Sequence, residues 1–161
     1  MINARSETAA SKPAFRAALR KRRCLVPMTG FYEWARPSGA ARAPKRPHWF
    51  HPSEPASGPD ALWAAAGLWE RWWDADGRLL HTVAILTTDA NEVVAAVHDR
   101  MPVLLAPEAR DAWLSADALD DETLGRWLRP WPSAATACRE VAPRVNDARA
   151  QGPELIARAS E

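Results

Sequence analysis

Three groups of polar side chains in this 161-residue chain could do chemistry. Asn3, Arg5 and Glu7 alternate with small residues at the amino terminus, Glu33 stands among aromatic residues, and the run 98–100 reads His-Asp-Arg. A carboxyl group and an imidazole are the side chains most often used to move protons in catalysis. Residue types alone therefore make Glu33 and His98 the candidates for proton transfer.

Glu33 is the residue whose surroundings favour acid–base chemistry most. The segment Gly30–Trp34 is predicted to be a strand, and its alternation puts Phe31 and Glu33 on one face and Tyr32 and Trp34 on the other. Burial among apolar groups raises the pKa of a carboxyl group towards the range of a general acid. The alternative is a salt bridge between Glu33 and one of the many arginines, which would make the residue structural.

His98 is predicted to lie where a short helix ends and a strand begins. The helix is expected over 89–97 with Asp89 as its N-cap, and Met101–Leu105 is apolar and strand-like. Such a junction is a common place for catalytic side chains. A single histidine is more often structural, and His98 needs a partner to be interpreted as catalytic.

The remaining pattern predicts strands and helices that hold these groups in one α+β domain spanning residues 1–161. The fold class expected is a strongly curved, mostly antiparallel sheet or open β-barrel with helices at its edge. The predicted helices are Ser11–Arg22, Pro107–Leu114 and Asp121–Leu128. The predicted strands are Cys24–Pro27, Gly30–Trp34, His48–His51, Leu62–Trp73, Leu79–Thr87 and Val141–Asn146, with a tight turn at 74–77 and turn-rich loops at 36–47 and 52–60.

The charge is distributed unevenly along the chain. Residues 1–50 contain eleven Lys or Arg and two acids, whereas residues 51–161 contain ten Lys or Arg and eighteen acids, for a net charge of +1. The basic residues Arg16, Arg20, Lys21, Arg22 and Arg23 are typical of a protein that binds a polyanion. The alternative is a solvated helix face that pairs with the acidic remainder of the fold.

Other sequence features restrict the protein class. No apolar run has the roughly 20 residues that span a bilayer, and no signal-peptide pattern follows Met1, so we expect a cytoplasmic protein without a membrane partner. His48 and His51 would point to opposite faces of a strand, so neither a metal site nor a cofactor is expected. Most of the nine tryptophans are expected to fill the core, with one or two left for stacking.

Six blocks, in order, resemble the SOS response-associated peptidase (SRAP) family from residue 2 to about 156. They are Asn3-Ala4-Arg5-Ser6-Glu7-Thr8, Arg23-Cys24-Leu25-Val26-Pro27, Gly30-Phe31-Tyr32-Glu33-Trp34, Ala66-Gly67-Leu68-Trp69-Glu70, His98-Asp99-Arg100-Met101-Pro102 and Val145-Asn146. Members of that family process abasic sites in DNA and crosslink to them covalently. The resemblance implies a DNA-repair protein, linked to the SOS response, whose partner is single-stranded DNA containing abasic sites. We expect the protein to be a monomer and to be associated with the nucleoid when it is bound to DNA.

The resemblance also implies roles for individual residues. Glu33 would be the general acid/base for opening the sugar ring, His98 would assist proton transfer, and Asn3 would hydrogen-bond the reacting centre. Arg5 would hold a phosphate, and Trp34 would be an aromatic wedge against the bases, where stacking contributes about 1–3 kcal/mol per base. Arg100, from the same block as His98, is expected to contact DNA.

The chain departs from the family at position 2. Family members use an N-terminal Cys, whose amine and thiol close on the abasic aldehyde as a thiazolidine, whereas this sequence begins Met1-Ile2. We therefore expect an incomplete N-terminus, caused by an internal start or a truncated gene, or a protein that has lost crosslinking. Cys24 is not expected to replace the missing thiol, because a thiol in an apolar strand has a raised pKa and low reactivity.

Three alternatives to the crosslinking activity stay open. The chain could bind single-stranded DNA without chemistry, or it could belong to an autopeptidase-type hydrolase that needs the missing Cys. In the third alternative, the α-amine of Met1, within about 7 Å of Asn3 along an extended chain, forms a Schiff base with the abasic aldehyde and acts as a lyase.

Overall fold

The computed structural model describes residues 1–36, 43–54 and 62–159. Within these ranges the helices are α1 (Ser6–Ala9), α2 (Pro13–Lys21), α3 (Glu92–Ala95), α4 (Pro107–Leu114) and α5 (Asp121–Trp127). The strands are β1 (Asn3–Arg5), β2 (Arg23–Met28), β3 (Phe31–Ala35), β4 (Arg46–Pro52), β5 (Trp63–Trp73), β6 (Leu79–Asp89), β7 (Arg100–Pro102) and β8 (Thr136–Glu140). The α+β class predicted from the sequence is confirmed.

The strands form two sheets rather than a closed barrel. In the five-stranded sheet the order is β1-β6-β5-β2, with β7 also paired to β6, and the three-stranded sheet has the order β3-β4-β8. All the pairings are antiparallel except that of β1, which runs parallel to β6. β1 is therefore an edge strand that lies beside the carboxyl-terminal half of β6.

The five-stranded sheet has a hydrophobic core on each of its faces. Successive residues of β5 alternate between the two cores, so that Ala66 packs in one and Ala65 in the other. The first core contains Phe15 and Leu19 of α2, and we call that side the α2 face. The second core contains Phe50 of the three-stranded sheet, and we call that side the β3 face.

Gly30 allows the three-stranded sheet to pack closely at the start of β3. A Cβ atom at Gly30 would overlap the Phe50 carbonyl and the Trp49 indole. The next residue, Phe31, stacks on Phe50 with ring centroids 5.1 Å apart. This anchor fixes the register of β3 and so the direction in which Glu33, two residues further on, points.

Three sequence predictions about these elements are wrong or incomplete. Asp89 does not cap the short helix; Asn91 does, because α3 begins at Glu92 and the Asn91 side chain accepts the Val94 N–H. The last strand is Thr136–Glu140, and 143–146 is a 3₁₀ turn that begins with a proline. Residues 46, 47 and 52 belong to β4, and the rest of the two predicted loops lies partly outside the described residues.

The tryptophans fill less of the core than their number predicts. Trp49, Trp63 and Trp113 are buried, whereas Trp72 and Trp73 are 55% and 62% exposed on the β5–β6 hairpin. Trp113 also donates from its indole N–H to the Cys24 carbonyl at 2.9 Å, which ties α4 to β2.

Replacing Asn91 with alanine is expected to lower the free energy of unfolding by about 2–3 kcal/mol. The buried side chain caps α3 and donates to the Trp131 carbonyl at 2.8 Å and to the Thr136 hydroxyl at 3.0 Å. Urea denaturation measures the loss. Asp120→Ala removes an exposed cap on α5 and is the control, with a smaller expected loss. Equal losses in the two variants would contradict a role for Asn91 beyond capping.

Candidate functional site

Glu33 lies in the middle of β3, opposite His48 of β4. Its side chain is only 27% exposed. Burial raises the pKa of Glu33 above that of an ordinary glutamate, and the positive charges available at His98 and Lys45 offset this rise only in part. The carboxyl group is therefore more easily protonated than a surface glutamate, which is the property that the sequence predicted for a general acid.

His98 faces Glu33 across the gap between the two sheets. The distance from its Nδ1 to Glu33 Oε1 is 3.9 Å, and that to Asp99 Oδ1 is 3.4 Å. The same Nδ1 lies 3.1 Å from the Arg100 backbone nitrogen and 3.2 Å from the Arg100 carbonyl oxygen, so it accepts the N–H in one tautomer and donates to the carbonyl in the other. The 3.9 Å separation is too long for a hydrogen bond and leaves the two groups able to contact one small oxygen-bearing group.

Asn3 and Arg5 project towards the same side of the five-stranded sheet as Glu33. Between them, Ala4 is buried in the core of the α2 face, so its two neighbours point to the β3 face. This fits the pairing of Asn3 with Ile85, which packs in the β3-face core. Both Asn3 and Arg5 are exposed, and within the described ranges neither side chain has a hydrogen-bond or charged partner.

Arg100 is held in place by groups from two elements, α1 and β6. Its guanidinium donates to both carboxylate oxygens of Glu7 at 2.9 and 2.8 Å, to Asp89 at 2.6 Å and to the Thr87 carbonyl at 2.7 Å. The hydrogen bonds to Glu7 raise the pKa of Arg100. This network links α1 to β7 and therefore fixes the backbone that orients His98. The DNA contact expected of Arg100 stays a prediction.

Trp34 lies at the edge of this region and has a partner that sequence reasoning did not assign. Its indole N–H donates to the Asn146 side chain at 2.8 Å, and its ring lies 6.4 Å from that of Tyr32. The neighbouring rings agree with the predicted alternation of β3. Asn146 belongs to the last block of the resemblance, which gave it no role, and Lys45 is the residue near Glu33 that the sequence did not reveal.

Lowering the pH is expected to weaken the link between Glu7 and Arg100. The Arg100 hydrogen bonds hold the pKa of Glu7 below its usual value of 4.5, so the stabilisation exists above that pH and is lost as the pH falls through the folded-state value. Glu7→Gln should cost at most about 1 kcal/mol at pH 7, since Glu7 is half-exposed, and less at pH 3. Urea midpoints between pH 3 and 7 measure this difference.

The control for that measurement is Glu122→Gln. Glu122 is exposed in α5 and has no ion pair in the described part of the chain. A pH-independent cost for Glu7→Gln, or an equal pH effect for Glu122→Gln, would contradict the proposed ion pair.

The other candidates from the sequence lie apart from this site. Burial raises the pKa of the thiols of Cys24 and Cys138, which are both free. Met1 lines a groove between α2 and the β5–β6 hairpin, on the α2 face, and the Schiff-base hypothesis for its amine stays a prediction. Among the described residues, no group of three or more His, Cys, Asp or Glu is arranged to hold a metal ion. No helix within the described residues is long and apolar enough to cross a membrane.

Residues 1–148 match the family model for the SOS response associated peptidase (SRAP). The chain is 37% identical over 156 residues to the abasic site processing protein YoqW of Bacillus subtilis. The aligned region covers 97% of this chain and 66% of that protein. It is 32% identical over 170 residues to the abasic site processing protein HMCES of Gallus gallus, covering 96% and 49%. The chain thus spans about two thirds and about half of the lengths of these relatives.

Solved structures have the same fold. A protein from Bacteroides thetaiotaomicron superimposes with a TM-score of 0.85 at 27% identity, covering 98% of this chain and 66% of that one. A phage-related protein from Bordetella bronchiseptica gives a TM-score of 0.66 at 30% identity, covering 88% and 63%.

Proposed function

The chain belongs to the SOS response-associated peptidase (SRAP) family, and from this premise we propose that it binds single-stranded DNA at abasic sites and opens the abasic sugar ring by proton transfer. The observation that carries the proposal is the pair of Glu33 and His98, a half-buried carboxyl group with a raised pKa 3.9 Å from an imidazole. The relatives named as abasic site processing proteins support the choice of substrate.

Ring opening needs one proton to leave and another to arrive. An abasic deoxyribose is a cyclic hemiacetal; when the bond from C1′ to the ring oxygen breaks, C1′ becomes an aldehyde. Glu33 in its protonated form gives its proton to the ring oxygen, and neutral His98 takes the proton of the C1′ hydroxyl. A proton then passes from His98 back to Glu33, so the step is an isomerisation without net proton change. The proposed step ends at the aldehyde.

The exposed polar groups on the same face bind the substrate. Arg5, a cation without a protein partner in the described ranges, takes a phosphate beside the lesion, and Asn3 hydrogen-bonds the sugar. Trp34 offers a half-buried ring against which a neighbouring base stacks. Arg100 is already neutralised by two carboxylates and contributes to the site by its position rather than by a free charge.

Trapping of the open aldehyde tests the proposal without requiring a protein nucleophile. A single strand with one abasic site is mixed with the protein and a saturating alkoxyamine, under conditions in which ring opening limits oxime formation. The protein is expected to accelerate oxime formation and to bind this strand more tightly than an intact strand of the same sequence. A strand carrying a tetrahydrofuran analogue, which has no C1′ hydroxyl, should bind and form no oxime.

The same experiment separates the second candidate function, binding without chemistry. That candidate is favoured by the basic amino-terminal third, where cations without carboxylate partners remain exposed. Equal affinity for the abasic and intact strands, together with an unchanged rate of oxime formation, would leave only backbone binding and would overturn ring opening.

A further inference from the structure

The basic cluster around α2 divides into structural and unpartnered cations. Arg22 pairs with Glu70, and Arg23 is buried with its guanidinium on backbone carbonyls. The other cations of this stretch are exposed and, within the described ranges, have no carboxylate partner. They are Lys12, Arg16, Arg20 and Lys21. The alternative raised by the sequence, a helix face neutralised by the acidic remainder of the fold, therefore does not apply to these four.

Three of these cations form a line along the helix. Lys12, the N-cap of α2, and Arg16 and Arg20 within the helix are separated by four residues each, about 6 Å of helix rise per step. They lie along one flank of α2, beside the buried stripe of Phe15 and Leu19. A row of cations at regular spacing suits a chain of phosphates better than a single small anion, because successive side chains reach successive charges.

Grooves flank the line of cations. One, of about 540 Å³, is lined by Ser11, Arg16, Arg20 and Lys21. A second, of about 380 Å³, runs between α2 and the segment that leads into α5, and Asp121 is the one acid in its lining. Most of the charged residues that line the two grooves are thus cations, and the surface has room for an extended backbone beside the helix.

The line begins close in sequence to the candidate site. Arg5 ends β1, the edge strand of the five-stranded sheet, and only α1 and a turn separate it from Lys12. Arg5 points to the β3 face, whereas α2 packs on the opposite face. A strand held at Arg5 therefore reaches α2 by passing around the β1 edge.

We propose that the exposed cations of α2 form a second binding surface, which holds the phosphate backbone of the DNA strand flanking the abasic site. This inference rests on the proposed function for the identity of the polyanion. The contact is independent of sequence and lesion, because phosphates carry no base information. It increases affinity and leaves the chemistry to the residues of the β3 face.

The test compares Arg16→Gln/Arg20→Gln with the wild-type chain. Fluorescence anisotropy gives the affinity for an intact single-stranded oligonucleotide between 50 and 200 mM NaCl. Loss of two phosphate contacts is expected to reduce the slope of log K against log salt by about 1.4, at about 0.7 per phosphate. The control, Arg78→Gln/Arg158→Gln, removes the same charge at two exposed arginines elsewhere and should leave the slope at the wild-type value.

Two readouts separate this inference from the proposed function. The salt slope on the intact strand reports the α2 surface, and the ratio of affinities for abasic and intact strands reports the site at Glu33. A reduced salt slope with an unchanged ratio of affinities supports the α2 surface. This holds even if the ratio is one, which would contradict the proposed function. An unchanged slope, an equal loss in the control variant, or a wild-type chain that does not bind the intact strand overturns it.

Discussion

Replacing Glu33 with glutamine is expected to reduce the acceleration of oxime formation from abasic single-stranded DNA by about 10²-fold or more, the usual contribution of a general acid. Glutamine keeps the shape and the hydrogen-bonding ability of the side chain but cannot give up a proton as a carboxylic acid does. Affinity for the abasic strand should change little, because Asn3 and Arg5, the proposed binding groups, are untouched. In the wild type the acceleration should fall as the pH rises through the elevated pKa of Glu33, and this dependence should vanish in the variant.

Glu33→Gln, which should reduce activity, is expected to leave the stability of the folded chain unchanged or to increase it. Because burial raises the folded-state pKa of Glu33 above its ordinary value of 4.5, ionisation favours the unfolded chain. This cost is absent below pH 4.5 and complete above the folded-state pKa. Glu33→Gln should therefore unfold at the same or a higher urea concentration at neutral pH. A loss of activity without a loss of stability is typical of a residue kept for function.

Glu140, two strands away in the same sheet, provides a matched control for Glu33→Gln. Glu33, His48 and Glu140 form one row across the three-stranded sheet, and Glu140 pairs with Arg46 at 3.6 Å. Glu140→Gln makes the same charge change in the same sheet and should preserve the rate. If Glu33→Gln retains the wild-type rate, or Glu140→Gln loses as much, Glu33 is not the acid. His98→Asn provides the second half of the test and should lower the rate without altering the fold.

Replacing Arg23 with methionine is expected to lower the free energy of unfolding by about 3–5 kcal/mol. The buried guanidinium donates to carbonyls at the ends of two helices, where the negative end of the helix dipole lies. Its acceptors are Trp113 (2.6 Å), Leu19 (2.9 Å), Arg20 (3.1 Å), Asp117 (2.8 Å) and Ser115. Methionine fills much of the same volume and leaves these carbonyls without a donor. The expected loss is a large share of the 5–15 kcal/mol that holds a typical domain folded.

Urea denaturation followed by tryptophan fluorescence measures this loss. Arg16→Met is the control, because Arg16 is exposed on α2, and it should change the free energy of unfolding by less than about 0.5 kcal/mol. Arg23→Lys should fall between the two, since an ammonium cannot reach acceptors on both helices as the planar guanidinium does. A cost below about 1 kcal/mol for Arg23→Met would show that water replaces the guanidinium.

Local chemistry determined much of the fold from the sequence. The helix at Pro107–Leu114 was predicted with its observed bounds, and the β5–β6 hairpin followed from two apolar runs around Asp74–Gly77. These elements depend on neighbours in the chain, which a sequence displays directly. The Asp89 prediction was wrong for a long-range reason, because Arg100 occupies that carboxylate and Asn91 has buried partners at 131 and 136.

The sequence by itself determined which residues are candidates for chemistry, and the tertiary structure decided which of them lie together. Glu33 and the alternation of β3 were apparent from residue types. A carboxylate buried among aromatic groups without a charged partner raises the free energy of the folded chain, so its presence there indicated a functional role. That His98 lies 3.9 Å from Glu33, and that Asn3 and Arg5 project towards the same side, depends on how the two sheets pack. The cations of residues 12–23 are similar in the sequence, yet burial makes Arg23 structural and leaves Arg16 free for a ligand. Burial and partners arise from contacts distant in sequence, so only the folded chain could separate these roles.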